Sequence, residues 1–262
     1  VPSSQQHGPW ALVVGGSEGV GAAFAEQLAH DGLNVVLVAR TASTLADTAT
    51  GIRALGVEVR TIAVDLLADD ATAQIADATS DIAVGLLILN AGANTYGHDF
   101  VSGDLDRLSQ MVTLNISRQL ELVHHFGGPM AQRGRGGIIL VGSLAGYLGT
   151  AHESVYAGAK AFSRVFAEGL WAELQPHGVD VLELVLGVTR TPAMERAGLR
   201  FDLPGLNVAE PADVAAEGLA HLADGPVWVA GGNYEAAQKR SRFPRNILVR
   251  KASDAIAAMM GR

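Results

Sequence analysis

Tyr156 and Lys160 stand four residues apart in the segment Tyr156-Ala157-Gly158-Ala159-Lys160. On a helix that spacing puts both side chains on one face, so a phenol and an ammonium can enter one site. A free phenol, with a pKa of about 10, is a sluggish acid–base group at neutral pH. A neighbouring ammonium favours the phenolate and makes the tyrosine usable for proton transfer. A second chemical feature lies near the other end, in Gly15-Gly16-Ser17-Glu18-Gly19-Val20-Gly21. An apolar strand pattern precedes it and a helical pattern follows at once. Glycines there let the backbone turn sharply and approach phosphates without a Cβ in the way. The helix that follows offers free N–H groups and its positive dipole end to an anion. Dinucleotide binding beside an acid–base tyrosine points to hydride exchange with a carbonyl or an alcohol.

The end of the second strand selects the cofactor. A carboxylate there would bond the adenosine ribose and repel a 2′-phosphate. This chain has Val38-Ala39-Arg40-Thr41 instead. The guanidinium of Arg40 offers a permanent charge and fork geometry to a phosphate, so NADPH is expected over NADH.

These groups need a scaffold, and the chain alternates short β-branched runs with longer helical stretches. Strands are expected at 11–14, 35–39, 60–64, 86–89, 137–141, 179–186 and 227–229, helices at 19–31, 44–55, 71–78, 104–133, 154–176 and 211–223. The pattern predicts one α/β domain over residues 1–262, a doubly wound Rossmann fold on a parallel sheet of about seven strands. Gly127-Gly128-Pro129 would punctuate the long stretch 104–133. At 262 residues, 48% of them hydrophobic, the chain can bury a large core. It has no cysteine, which excludes disulfides and thiolate chemistry, and a net charge of −8, which argues against nucleic acid. No apolar run is long enough to span a bilayer, and residues 1–10 carry no signal-peptide pattern. A soluble, cytoplasmic protein is expected. His152 has no ligand partner at recognisable spacing, and no metal site is expected.

In this order and register the chain resembles the short-chain dehydrogenase/reductase family. The matches are the Gly15/Gly19/Gly21 loop, Asp65, Asn90-Ala91-Gly92, Asn115, Ser143 thirteen residues before Tyr156, and Lys160. The resemblance implies that Tyr156 gives its proton to the carbonyl oxygen or takes one from the alcohol, while Ser143 polarises that oxygen. It implies that Lys160 lowers the tyrosine pKa and binds the nicotinamide ribose, and that Asn115 holds a relay water. Asp65 and Leu66 would contact adenine, and Asn90 to Gly92 would line the cleft. Thr191, in Gly187-Val188-Thr189-Arg190-Thr191, would sit near the carboxamide and phosphates, with Thr189 beside it. Val14, Leu89 and Leu186 depart from the family's threonine, asparagine and proline, and put only loop geometry in question. The segments around Trp10, Phe24 and Val35 to Arg40 are similar to the hydroxysteroid dehydrogenase and 3-ketoacyl-CoA reductase branch.

Substrate is expected beyond the carboxyl ends of the strands, among Asn94-Thr95-Tyr96, the residues Leu144 to Leu148, and segment 188–207. That last segment carries Met194, Leu199, Phe201, Leu203 and Leu206 and would form a lid for a largely apolar ketone or secondary alcohol. A non-catalytic redox sensor binding NADP(H) on the same fold is the alternative, though it would not need Tyr156. The long helices 104–133 and 154–176 are expected to join a homodimer or homotetramer. Lys239, Arg240, Arg242, Arg245, Arg250 and Lys251 form either a solvated surface or a field that steers an anionic substrate.

Overall fold

The computed structural model describes residues 4–94 and 96–260. Thr95, expected in a substrate loop, lies outside them. The first half runs α1 (Ser4–His7), β1 (Trp10–Val14), α2 (Gly19–His30), β2 (Asn34–Ala39), α3 (Ala42–Arg53), β3 (Val59–Ala63), α4 (Ala71–Ala78) and β4 (Val84–Leu89). Then come α5 (Leu105–Val112), α6 (Arg118–Arg133), β5 (Gly136–Ser143), α7 (Ser154–Leu174) and β6 (Val179–Leu186). The last part holds β7 (Val188–Thr189), α8 (Pro192–Arg196), β8 (Val208–Ala209), α9 (Pro211–Ala220), β9 (Val227–Val229), α10 (Tyr234–Arg240) and α11 (Arg245–Met259).

Seven strands form one sheet in the order β3-β2-β1-β4-β5-β6-β9, and every pairing is parallel. β1 and β4 are buried along their whole length, because helices cover both faces. One face packs Phe24, Leu28 and Leu37 under α2, α3 and α9. The other packs Leu12, Leu87, Leu140 and Met130 under α4, α6 and α7. Each such side chain contributes about 2 kcal/mol by leaving water. The sheet order reverses between β1 and β4, and a crevice opens there at the carboxyl ends of the strands.

The seven main strands and six helices lie where the sequence pattern predicts them. The long stretch 104–133 breaks at a different place. Helix α6 runs through Gly127, Gly128 and Pro129 unbroken, with Pro129 on the exposed face where water can satisfy the carbonyl it frees. The interruption comes earlier, as one π-helical turn at Thr113–Ser117 around Asn115. Such turns cost helix geometry and concentrate at functional sites. α10, α11 and the two-stranded β7–β8 sheet were not evident in the pattern, since each is short or weakly periodic.

Candidate active site

Backbone contact builds the first wall of the crevice. Gly15 and Gly16 donate to the Val38 carbonyl at 2.7 and 3.2 Å, folding the loop over the end of β2. Gly15 has φ +85°, and a Cβ on it would lie 2.7 Å from Ala91 N. A Cβ on Gly21 would lie 1.9 Å from the Gly15 carbonyl, so α2 can start against the loop only with glycine there. Asn90 fixes the same carbonyl with its side-chain amide at 2.9 Å. Gly92 brings its backbone to Asn115, whose Oδ1 would be 2.7 Å from an added Cβ. On the far side Arg118 donates to the carbonyls of Leu66 and Ala68, both at 2.6 Å, and so sets the Asp65–Leu66 loop. Asp65 itself closes a turn by accepting from Leu67 N at 3.0 Å. The sequence pattern did not single out Arg118.

The reacting groups meet at the end of β5. Ser143 Oγ accepts from Ala145 N at 3.1 Å, which leaves its own O–H to donate into the crevice. Tyr156, in the first turn of α7, stands close enough to Ser143 for that hydroxyl to act on its phenol. Burial pushes its phenol up to about 12, with the Ser143 hydroxyl pulling the other way and Glu153 adding to the rise. The protein's own groups therefore hold Tyr156 as a neutral phenol, and Lys160, expected to lower it, is not among the groups that shift it. Lys160 is 3% exposed, with Nζ 5.7 Å from the Tyr156 ring centre and donating to the Val141 carbonyl at 2.9 Å. Burial pulls it down to about 8, and Glu183 opposes that fall. Asn115 donates to Met111 O at 3.0 Å, while its Oδ1 has no hydrogen-bond partner among the described residues.

Ser17, Glu18, Gly19, Val20, Arg40, Thr41, Asp65, Leu66, Asn90, Ala91, Ser143, Tyr156, Lys160, Thr189 and Thr191 line one cleft of about 1200 Å³, as do Gly15 and Gly92. Gly21 and Asn115 stand just behind its wall. Arg40 is exposed and makes no ion pair among the described residues. Glu18 is bound instead, in a two-pronged pair with Arg196 of α8. Thr191 caps α8 by accepting from Met194 N at 3.3 Å, and its methyl group faces Gly19. The glycine cradle, the orphaned Asn115 oxygen and the unpaired Arg40 suit a dinucleotide that carries a 2′-phosphate.

The opposite wall holds Leu148, Met194, Leu199 and Leu206, and helix α11 adds Ala252, Ile256 and Met259. Its polar corner is Asn94, Thr150, Glu153 and Arg240. Thr150 donates to Glu153 at 2.8 Å. Glu153 could have been read from the sequence, since it stands at the start of α7 only three residues before Tyr156. The α11 wall could not, because nothing local marks where a terminal helix returns. The basic stretch is divided. Arg240 and Arg245 donate to the carbonyls of Leu144 and Tyr147 at 3.0 and 3.1 Å, while Lys239, Arg242, Arg250 and Lys251 are exposed. His152 lies outside the cleft and pairs with Asp99 at 3.2 Å. No helix among the described residues is long and apolar enough to cross a membrane.

The sequence profile of the short chain dehydrogenase family matches residues 9–199. A 7beta-hydroxysteroid dehydrogenase of Clostridium sardiniense is 31% identical over 249 residues, covering 94% of this chain and 95% of that protein. A very-long-chain 3-oxoacyl-CoA reductase of Neurospora crassa is 37% identical over 194 residues, 72% of this chain. The chain spans only 58% of that reductase. A short-chain dehydrogenase from Sphingobium yanoikuyae, solved in complex with NADPH, superposes with a TM-score of 0.79 at 29% identity, covering 95% of each chain.

Proposed function

The chain belongs to the short-chain dehydrogenase family and is an oxidoreductase, and from that premise we propose that it reduces a ketone to a secondary alcohol with NADPH, or runs the reverse. The observation that carries this reading is the convergence of the Ser143 hydroxyl and the Tyr156 phenol on the cleft that the glycine loop lines. The loop 15–21 would hold the pyrophosphate, Arg40 and Thr41 the 2′-phosphate, Asp65 and Leu66 the adenine, and Lys160 the nicotinamide ribose. Thr189 and Thr191 would meet the nicotinamide end. When bound, the cofactor supplies the hydride.

The chain's own groups handle the oxygen and its proton. Ser143 donates to the carbonyl oxygen and stabilises the charge that grows there. Tyr156, held as a neutral phenol, delivers the proton to the same atom. The ammonium of Lys160 stabilises the phenolate left behind, and a water held by the free Asn115 Oδ1 would relay the replacement proton inward. Reduction therefore runs at neutral pH and declines as Lys160 loses its charge above about 8. The apolar wall suits a largely nonpolar ketone, with the Glu153 and Arg240 corner taking any polar group it carries.

Leu105, Val112, Leu120, Phe162 and Val165 stand exposed on α5, α6 and α7. They support a homodimer or homotetramer through these helices, and a monomeric mass by light scattering at micromolar protein would refute it. The test of the reaction is a panel of ketones incubated with NADPH, following its absorbance. Consumption that depends on both ketone and Tyr156 is expected, and none with any ketone would count against the reading.

A further inference from the structure

Glu183 stands in the middle of β6, in a strand otherwise made of valine, leucine and one aspartate. It is 1% exposed, and its Oε2 has no hydrogen-bond partner among the described residues. A buried carboxyl in that condition is costly and calls for a physical reason. A glycine makes room for it, since a Cβ on Gly142 of the neighbouring strand would lie 2.3 Å from its Oε1. Gly142 stands between Val141, whose carbonyl accepts from Lys160 Nζ, and Ser143. The carboxyl thus packs on the stretch of backbone that positions both groups.

The charged and titratable groups facing Glu183 are Lys160, Arg164 and Glu168 of α7, and Tyr147 of the turn after β5. Arg164 gives its Nη1 to Glu168 at 3.0 Å and lies 4.9 Å from the centre of the Tyr147 ring, while its buried Nε has no hydrogen-bond partner among the described residues. The hydrogen bond of Lys160 goes to a neutral carbonyl. Lys160 is the cation without a bound anion, and Glu183 the anion without a bound cation.

We propose that Glu183 is a positioning residue for Lys160, a buried counterion that keeps the ammonium protonated beneath the active site. Its catalytic meaning rests on the Ser143, Tyr156 and Lys160 reading above. Burial pushes Glu183 up to about 8 and Lys160 down to about 8 even with each acting as the chief charged group that opposes the shift of the other. The two groups titrate as a coupled pair, and once Glu183 is ionised its carboxylate delays loss of the proton from Lys160. Arg164 and Glu168 carry opposite charges and largely cancel at this site.

Glu183→Gln keeps the size and removes the charge. The alkaline limb of log kcat against pH for ketone reduction should then move toward acid by roughly one pH unit, whatever the plateau height. A limb that stays in place overturns the proposal. A second measurement needs no turnover. The infrared carbonyl band of a protonated buried carboxylic acid should titrate near pH 8 in the native protein and be missing in Glu183→Gln. In Lys160→Met the same band should persist to higher pH, because no ammonium favours the anion. A band that titrates alike with and without Lys160 would also overturn the pairing. If no ketone were reduced, the reaction reading would fall, and the infrared titrations would still decide whether the two residues are coupled.

Discussion

The two walls of the cleft are made in different ways. The wall under β1, β2 and β4 is built by backbone approaching backbone at Gly15 and Gly21, and by backbone approaching Asn115 at Gly92, at distances no side chain would permit. The facing wall is hung from the domain by side chains. Arg240 and Arg245 hold the carbonyls of Leu144 and Tyr147, and Ser253 accepts from Ala151 N at 2.9 Å. Only the first wall fixes residue types. A pyrophosphate demands glycine at set positions, whereas an apolar substrate surface can be made from many combinations of Leu, Ile and Met. Between the walls lie Ser143, Tyr156 and Lys160, on the rigid end of β5 and the first turns of α7.

Substitutions can break this contrast, and the largest effect belongs to the centre. Tyr156→Phe removes the proton donor and should cut turnover by on the order of 100-fold or more while leaving the dissociation constant for NADPH nearly unchanged. Steady-state rates with fluorescence titration of the cofactor would check both. Next comes the first wall. Gly21→Ala puts a Cβ against the Gly15 carbonyl at 1.9 Å and should weaken cofactor binding by on the order of tenfold or more. In the second wall Ile256→Ala should raise KM for an apolar ketone only a few-fold, on the order of 1 kcal/mol, and leave cofactor affinity alone. If Ile256→Ala weakened NADPH as much as Gly21→Ala, the division between the walls would be wrong.

Between those two effects falls the one expected at the cofactor's far end. Ala39→Asp with Arg40→Leu should move preference from NADPH toward NADH by on the order of tenfold, as one charged contact is exchanged for a repulsion. Equal use of both cofactors by the native protein would remove the role given to Arg40. The smallest effect concerns the bridge between the walls. Glu18 and Arg196 are both in reach of solvent, so Arg196→Gln should change KM by about twofold or less, and less still at high salt.

The contrast also explains what the sequence could disclose. The central strands were legible because strands covered on both faces must be apolar throughout, as β1 and β4 are. The glycine loop and Tyr156 with Lys160 were legible because their spacing is set by covalent geometry, whereas Asn90 was assigned through family resemblance. Asn115 was assigned through family resemblance, but its π turn was hidden, since Gly127 to Pro129 carried the stronger break signal. Pro129 fell on the exposed face of α6 and was tolerated there. Glu183 gave no signal at all, because its meaning depends on Gly142 in a strand more than forty residues away. The roles of Arg118, Arg240 and α11 are likewise made only by tertiary contact.

The most direct test of the whole account follows the hydride itself. Wild-type protein and Tyr156→Phe would each be incubated with NADPH deuterated on the transferring face of the nicotinamide and with an apolar ketone, and the product analysed by mass spectrometry. The account predicts one deuterium on the carbinol carbon with wild type, and at least about 100-fold less labelled alcohol from Tyr156→Phe despite equal NADPH binding. Labelled alcohol formed equally by both proteins, or tight NADPH binding with no label transferred to any ketone, would contradict it.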